Sequence, residues 1–316
     1  MQTLAAFFLP RRIPLPRAEK RLIEVEPGVS VLCHCHWQKE RSSALTLIVV
    51  HGLEGSSESQ YMLGVAANGL AAGMNVVRMN QRNCGGMDHC APTLYNSGRS
   101  EDVAAVAGNL VDRDGIAGFV LVGFSMGGNL VLKLAGEWGS DGPSEFRGAA
   151  AVCPAINLAA GAGALHEPAN RIYEYYFLLQ LFRRFRLKAR LFPESFDASR
   201  LRGVRSLREF DDRVTAYYCG FTGADDYYTR AAAANVIDRI ARPALVIHAA
   251  NDPFIRILPQ TRQALLSNRN IVYLETEDGG HCAFVGERGD SSYDGRWAER
   301  EVVEFAKRFQ HSPAST

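Results

Sequence analysis

The sequence predicts an α/β fold with a mostly parallel central sheet, helices on both faces and an inserted helical cap. Short apolar runs such as 45–50 alternate with segments of helical periodicity, which is typical of a parallel sheet covered by helices. A glycine-flanked serine joins one strand to a helix at 123–127. About 90 residues separate the strand ending near Cys153 from the one starting near Pro243. That is far longer than an ordinary connection, so these residues form an insertion.

The predicted elements follow one another along a single domain that spans residues 1–316. They are a β-hairpin over about 20–37, strand 45–50, helix 58–72, strand 74–79, helix 99–113, strand 118–122, helix 126–138, strand 148–153, and then strand 243–249, helix 257–267, strand 270–275 and helix 297–309. The cap is assigned to residues 156–240, and we expect substrate choice to depend on it. Residues 311–316 are expected to form a frayed tail.

Composition sets limits on the class of protein. The chain has 316 residues, of which 47% are hydrophobic, enough to bury one large core. Its net charge of +1 gives no general attraction for nucleic acid. Seven cysteines are an odd number without the spacing of a disulfide framework, which favours a reducing compartment and therefore the cytoplasm.

The most informative motif is Gly123-Phe124-Ser125-Met126-Gly127. It directly follows the apolar run 119–122, and Leu130, Val131 and Leu134 after it have helical spacing. A G-x-S-x-G motif between a strand and a helix is a tight turn that presents the serine hydroxyl at the carboxyl edge of the sheet. Ser125 is therefore the candidate nucleophile.

A nucleophilic serine needs a base and an acid, which follow such a turn in the order acid, then histidine. Asp252 comes in a turn after the predicted strand 243–249, where it would lie over the edge of the sheet. His281 follows two glycines after strand 270–275. A base removes the serine proton, and a carboxylate orients that base. The sequence predicts Asp252 as the acid and His281 as the base.

Other residues compete for these roles. His248 lies inside a predicted strand and is interpreted as a core residue, and His166 lies in the insertion. Asp278 is only three residues before His281, which is closer than usual for the orienting acid, so it is kept as the alternative to Asp252.

Backbone amides complete the predicted site. An oxyanion hole needs the amide after the nucleophile and another from the loop after an earlier strand. The strand 45–50 runs into His51-Gly52-Leu53, so the amides of Leu53 and Met126 are the predicted donors.

These residues resemble the α/β-hydrolases, and within them the YheT-like branch that includes the abhydrolase-domain lipid esterases. The resemblance covers about residues 45–285. Its motifs are HGLEGSSESQY at 51–61, RNCGG at 82–86, LYNSG at 94–98, GFSMGGN at 123–129, REFDDRVTA at 208–216, GADDYY at 223–228, HAANDPF at 248–254 and GGH at 279–281. It implies an α/β-hydrolase fold and carboxylester hydrolysis, with lipid esters as substrates of some relatives. Asn83 and Asn96 depart from the branch, which affects only the expected substrate preference.

The centre of the cap is the aromatic and basic stretch 172–192. Leu178, Leu181, Phe182 and Phe185 have helical spacing, while most of the basic residues fall on the other side. We interpret the stretch as a helix that roofs an acyl pocket, with Phe182 and Phe185 lining it. Its basic face either is solvated or meets an anionic lipid surface.

No metal or other cofactor is predicted. In a strand, Cys33 and Cys35 point away from His34 and His36, so the four cannot surround one ion. The strand is interpreted as half-buried. The aspartate pairs at 211–212 and 225–226 are assigned to structural hydrogen bonds and helix N-caps.

The sequence thus predicts a serine carboxylesterase or lipase-type hydrolase with a small-molecule acyl ester or lipid as substrate and no nucleic acid partner. An acyltransferase that uses the same acyl-enzyme and a non-catalytic binding protein remain alternatives. The apolar segment 4–9 is too short to span a bilayer and is interpreted as a docking arm; peripheral membrane contact through it or the cap stays open. The natural ester, its chain length and the oligomeric state stay open too.

Overall fold

A computed structural model of the protein describes residues 11–287 and 294–310. The predicted docking arm at 4–9 and the tail at 311–316 lie outside these residues. Eight strands form one sheet in the order β1-β2-β4-β3-β5-β6-β7-β8. They are β1 (Glu19–Glu26), β2 (Val29–His36), β3 (Thr46–Val50), β4 (Asn75–Met79), β5 (Phe119–Phe124), β6 (Phe146–Val152), β7 (Ala244–Ala249) and β8 (Ile271–Thr276).

Helices connect the strands. They are α1 (Gln60–Ala71), α2 (Ser100–Asp114), α3 (Met126–Trp138), α4 (Leu158–His166), α5 (Arg171–Leu191), α6 (Leu207–Phe210), α7 (Tyr217–Cys219), α8 (Ala224–Ala231), α9 (Pro259–Ser267) and α10 (Trp297–Lys307). A π-helical segment, Asp211–Ala216, joins α6 to α7. The predicted elements outside the cap are all present, and their ends agree to within two residues. None of the described helices is both long and apolar enough to cross a bilayer.

The sheet is mostly parallel, and its central strands are buried on both faces. β1, β2 and β4 pair antiparallel, and β4, β3, β5, β6, β7 and β8 pair parallel. Successive residues of β3 enter different cores: Ile48 and Val50 pack with the helices α2 and α3, and Leu47 and Val49 pack with α1 and α10. Because strand side chains alternate between faces, this arrangement needs helices on both sides. The predicted fold class is confirmed.

The strand β2 is more buried than the sequence indicated. Cys33 and Cys35 lie in the core as expected, but His34 and His36 on the other face are only 8% and 3% exposed, so the half-buried interpretation was wrong. Arg78 Nη2 donates to His36 Nε2 at 3.2 Å, and burial lowers the pKa of His36 to about 4. His36 is therefore neutral and accepts a hydrogen bond on the buried second face of β2.

The helices α4 to α8 lie between β6 and β7 and form a helical cap. Its core contains Leu181, Phe185 and Phe210 together with Phe254 and Ile255 from the main domain, so the cap packs directly on the sheet's carboxyl edge. The limits 156–240 for the cap remain a prediction.

The basic residues of α5 divide between two sides of the helix. Arg183, Arg186 and Arg190 are exposed, as the periodicity predicts. Lys188 is instead fully buried, and Arg184 is only 17% exposed. The ammonium of Lys188 donates to Asn83 Oδ1 at 3.0 Å. It also donates to the backbone carbonyls of Asp88 and Ala91, in the loop that follows Asn83. These two side chains therefore attach the cap to the main domain.

Candidate active site

Ser125 occupies a strained turn between β5 and α3. Its backbone has φ 54° and ψ −118°, a region that residues with a side chain rarely adopt. A Cβ on Gly123 would lie 2.2 Å from Gly127 O, and a Cβ on Gly127 would lie 2.3 Å from Val50 O. Only glycine fits at either position, which explains both glycines of the motif.

The structure brings Ser125, His281 and Asp252 together. His281 Nε2 lies 2.9 Å from Ser125 Oγ, and His281 Nδ1 lies 2.8 Å from Asp252 Oδ2. Asp252 comes three residues after β7, and His281 comes from the loop after β8. Parallel strands end at the same edge of a sheet, so residues 156 positions apart in sequence meet there.

The environment of Asp252 keeps it ionised. The residue is 2% exposed, and its Oδ1 accepts hydrogen bonds from the amides of Phe254 at 3.1 Å and Ile255 at 2.9 Å. Burial raises the pKa of Asp252, but His281 and the two amides outweigh burial and hold that pKa below its ordinary value. A carboxylate in this state orients an imidazole and stabilises its protonated form.

The pKa of His281 shifts in the opposite direction, upward. Burial lowers the pKa of His281, but the charge and hydrogen bond of Asp252 outweigh burial and raise that pKa above its ordinary value of 6.5. The ring of Phe254 lies 4.3 Å from the imidazole and covers part of it. The imidazole of His281 is therefore held by contacts at Nδ1, at Nε2 and on one face.

The competing residues lie in other environments. Asp278 is exposed, and its Oδ1 accepts from Asn251 Nδ2 at 2.5 Å. His248 is a buried residue of β7, and burial lowers its pKa. His166 Nδ1 lies 2.9 Å from Glu174 Oε2 in the cap. The acid beside His281 is therefore Asp252.

The predicted oxyanion donors flank Ser125. Leu53 and Met126 line the same cavity as Ser125, and a Cβ on Gly52 would lie 3.0 Å from Ser125 Cβ. In the described part of the chain, neither the Leu53 nor the Met126 amide donates to a protein group. The Leu53 and Met126 amides therefore remain the predicted donors of an oxyanion hole.

A charged network that sequence reasoning missed holds the loop containing Leu53. The adjacent Glu54 has φ 55° and accepts from Arg184 Nε at 2.9 Å and Nη2 at 3.0 Å. The Tyr95 hydroxyl donates to the same carboxylate. The spacing of Leu181, Arg184 and Lys188 on one helix face could have indicated that these basic residues point inward. The cap is therefore bonded to the loop that carries a predicted oxyanion donor.

A mostly apolar cavity opens onto Ser125 beneath the cap. Its side walls include Leu53, Leu94, Leu158, Leu165, Phe177, Leu181, Phe185, Phe210, Phe254 and Ile255. Phe185 therefore lies where the sequence placed it. Phe182 instead stacks on Phe210, with ring centroids 6.2 Å apart, and does not line the cavity. Of the two predicted cap residues, only Phe185 therefore lines the cavity.

One acidic residue also lines this cavity. Asp211, which the sequence assigned to a structural hydrogen bond, accepts from Thr215 Oγ1 and from the Tyr228 hydroxyl, each at 2.8 Å. Burial raises the pKa of Asp211 to about 6. The assignment was therefore incomplete, because this carboxyl group also forms part of the cavity wall.

Comparison with known proteins agrees with this architecture. The family described as the alpha/beta hydrolase fold matches residues 46–287. The chain belongs to this family. The YheT protein of Escherichia coli (strain K12), whose name describes an esterase, is 32% identical to this hydrolase over 263 residues, 82% of this chain and 75% of that protein. The resemblance to the YheT-like branch is confirmed.

More distant relatives extend the comparison. Phospholipase ABHD3 of Mus musculus is 29% identical over 247 residues, which cover 78% of this hydrolase and 60% of that protein. This chain therefore matches less than two thirds of that relative's length. The esterase Pf2001 of Pyrococcus furiosus superposes with a TM-score of 0.61 at 18% identity, covering 95% of each chain, and so has the same fold.

The coupling between Asp252 and His281 predicts how His281 titrates. Because the Asp252 carboxylate raises the pKa of His281, the wild-type ring should stay protonated to a pH above 6.5. In Asp252→Asn the two largest effects that oppose burial are lost and only the smaller one of Cys153 remains, so the midpoint should fall below that of the wild type. NMR titration of the imidazole nitrogens measures both values. Asp278→Asn is the matched control and should leave the midpoint unchanged; an equal fall in both variants would contradict the assignment.

Proposed function

We propose that the protein is a serine carboxylesterase of the lipase type that hydrolyses acyl esters through a Ser-His-Asp triad. The observation that carries the proposal is the chain of two hydrogen bonds from Ser125 through His281 to Asp252 at the opening of an apolar cavity. A serine, a histidine and a carboxylate in this geometry activate a hydroxyl group as a nucleophile.

In the proposed first step, Ser125 Oγ attacks the ester carbonyl while His281 Nε2 takes its proton. Asp252 keeps the Nδ1 proton in place and stabilises the imidazolium. The carbonyl oxygen becomes negatively charged and accepts hydrogen bonds from the Leu53 and Met126 amides, which are worth most in a site that excludes water. His281 then gives its proton to the leaving alcohol, and an acyl-enzyme on Ser125 remains.

In the proposed second step, His281 removes a proton from water, which attacks the acyl-enzyme. The same amides stabilise the second tetrahedral intermediate, and the proton returns to Ser125 as the carboxylic acid leaves. Acyl transfer would use the same intermediate with an alcohol or a thiol in place of water. The names of YheT and ABHD3 describe an esterase and a phospholipase, which supports hydrolysis.

The cavity supports acyl chains as part of the substrate. Its walls are leucine, isoleucine and phenylalanine side chains from both the cap and the main domain. Burying each methylene of a chain in such a cavity is worth about 0.8 kcal/mol. We infer that the substrate is an ester with a medium or long acyl chain, which is compatible with the lipid substrate in the name of ABHD3.

The nucleophile is tested with a fluorophosphonate, which reacts with activated serines. The wild type should be labelled once, at Ser125, and Ser125→Ala should lose labelling while keeping its melting temperature within a few degrees. Ser97→Ala is the matched control, because Ser97 lines the same cavity; it should be labelled like the wild type. Undiminished labelling of folded Ser125→Ala would refute the nucleophile.

The orienting acid is tested by turnover. Asp252→Asn should lower kcat on the order of 10⁴-fold, the effect known for the equivalent change in a serine protease, because the amide favours the wrong tautomer of His281. The isosteric Asp278→Asn should change kcat only a few-fold, since Asp278 bonds to Asn251. Steady-state kinetics on a p-nitrophenyl ester decides this, and the opposite ranking would transfer the role to Asp278.

The cap is tested by the dependence of kcat/KM on acyl chain length. Phe177 and Phe182 are half-buried phenylalanines of the same helix, but only Phe177 lines the cavity. Phe177→Ala should lower the preference for octanoate over acetate esters roughly 10-fold by removing apolar contact. Phe185→Leu should lower it less, and Phe182→Ala should keep the wild-type profile.

The same measurement can overturn the assignment of the cap. If Phe182→Ala flattens the chain-length profile as much as Phe177→Ala, the effect comes from loosening of the cap and not from the cavity wall. If none of the three variants changes the profile, the acyl chain binds elsewhere.

A further inference from the structure

A group of metal-ligand atoms adjoins the triad. The Sγ atoms of Cys153 and Cys282 and a ring nitrogen of His281 all lie within 4.8 Å of one another. Cys282 Sγ is 3.9 Å from His281 Nε2. In a tetrahedral zinc site, bonds of about 2.3 Å to sulfur and 2.0 Å to nitrogen separate neighbouring ligand atoms by about 3.5–3.8 Å. The ligand atoms therefore need to approach one another by no more than about 1 Å to surround one ion.

The backbone holds both cysteines in unusual conformations. Cys153 has φ 43° and Cys282 has φ 58°, in the left-handed region that seldom accommodates side chains other than those of asparagine and aspartate. The Cys282 amide points to Cys153 Sγ at 3.4 Å. The sulfur atoms are thus brought together by two strained turns, one after β6 and the other in the loop of His281. Backbone strain of this kind is concentrated at functional sites.

The surroundings of His281 match those of a metal-binding histidine. Asp252 bonds to Nδ1, which fixes the ring so that Nε2 faces away from the carboxylate. Histidines that bind metals usually bond through their other nitrogen to a carboxylate in this way. Cys153 Sγ also lies within 4.8 Å of His248, whose buried Nδ1 has no hydrogen-bond partner among the described residues. The cluster therefore has an additional nitrogen nearby.

The ligand types select the metal. Two thiol groups and an imidazole suit zinc and other soft ions, whereas magnesium and calcium prefer oxygen. We propose that Cys153, Cys282 and His281 form a binding site for Zn²⁺ and that its occupation reversibly blocks the triad. On binding, each thiol releases a proton to solvent, a protonated His281 also releases its Nε2 proton to solvent, and the freed Nε2 bonds to the ion. Nε2 is then no longer able to accept the proton of Ser125.

The inhibitory consequence rests on the proposed esterase function, but metal binding does not. Binding is measured first, with Co²⁺ as a spectroscopic substitute for Zn²⁺ and a non-thiol reductant present throughout. The wild type should bind one equivalent of Co²⁺ and develop a thiolate-to-cobalt charge-transfer absorption that Zn²⁺ abolishes. Cys153→Ser and Cys282→Ser should lose most of that absorption and bind Zn²⁺ at least 10-fold more weakly.

Cys90→Ser is the matched control. Cys90 lies in a short helical turn and belongs to neither group of metal-ligand atoms found among the described residues, so its replacement should leave the Co²⁺ spectrum unchanged. Ser125→Ala should also keep the spectrum, because the serine is not one of the three ligands. An absence of charge-transfer absorption in the wild type, or equal absorption in Cys282→Ser, overturns the site.

Inhibition is measured next, as the ratio of ester hydrolysis with and without Zn²⁺ within each variant. Zn²⁺ should inhibit the wild type and Cys90→Ser, a chelator should restore the rate, and Mg²⁺ should have no effect. In Cys282→Ser, the Zn²⁺ concentration for half inhibition should rise at least 10-fold; an unchanged value overturns the inhibition. If no ester is hydrolysed at all, the proposed function fails, and the Co²⁺ spectra still decide the metal site.

Discussion

The close contact between the Ser125 turn and the end of β3 determines the arrangement of the whole site. A side chain at Gly127 would lie 2.3 Å from Val50 O, so α3 starts directly against the strand from which the Leu53 loop emerges. The strained conformation of Ser125 costs on the order of 1–3 kcal/mol. The strands β3 and β6, which pair with β5 on its two sides, hold the turn in place and so offset that cost. The strained turn exposes the Ser125 hydroxyl group at the end of β5, where the His281 imidazole reaches it.

The cap is joined to this turn by polar bonds as well as by apolar packing. Asn129 of α3 donates to Ser97 O at 2.8 Å and to Ala231 O at 2.9 Å, and it accepts from the Ala233 amide at 2.8 Å. On the other side, Arg184 bonds to Glu54. Buried polar networks of this kind are costly to disrupt because each lost partner leaves an unsatisfied group. The Ser125 turn, the Leu53 loop and the cap are therefore connected by a continuous set of hydrogen bonds.

Cys153 occupies a position where several requirements meet. Its amide donates to Ile247 O at 2.7 Å, and the amide of the nearby Ala155 donates to Ser125 O at 3.1 Å. The segment after β6 thus supports the Ser125 turn and at the same time places a thiol group beside His281. Burial raises the pKa of Cys153 well above its ordinary value, so this sulfur is a neutral neighbour of the triad until a metal ion or another electrophile displaces its proton.

The sequence by itself determined the alternation of strands and helices, the order of Ser125, Asp252 and His281, and the glycines beside the serine, because these depend on local periodicity and on turns of a few residues. Tertiary structure alone decided that Phe185 lines the cavity while Phe182 stands behind it, and that Arg184 points inward. It also decided that Cys153 and Cys282, 129 residues apart, meet at His281. A helical pattern defines a buried face to within about one residue, but which residue touches a cavity depends on the element packed opposite. Contacts between distant segments follow from strand order, which no local pattern contains.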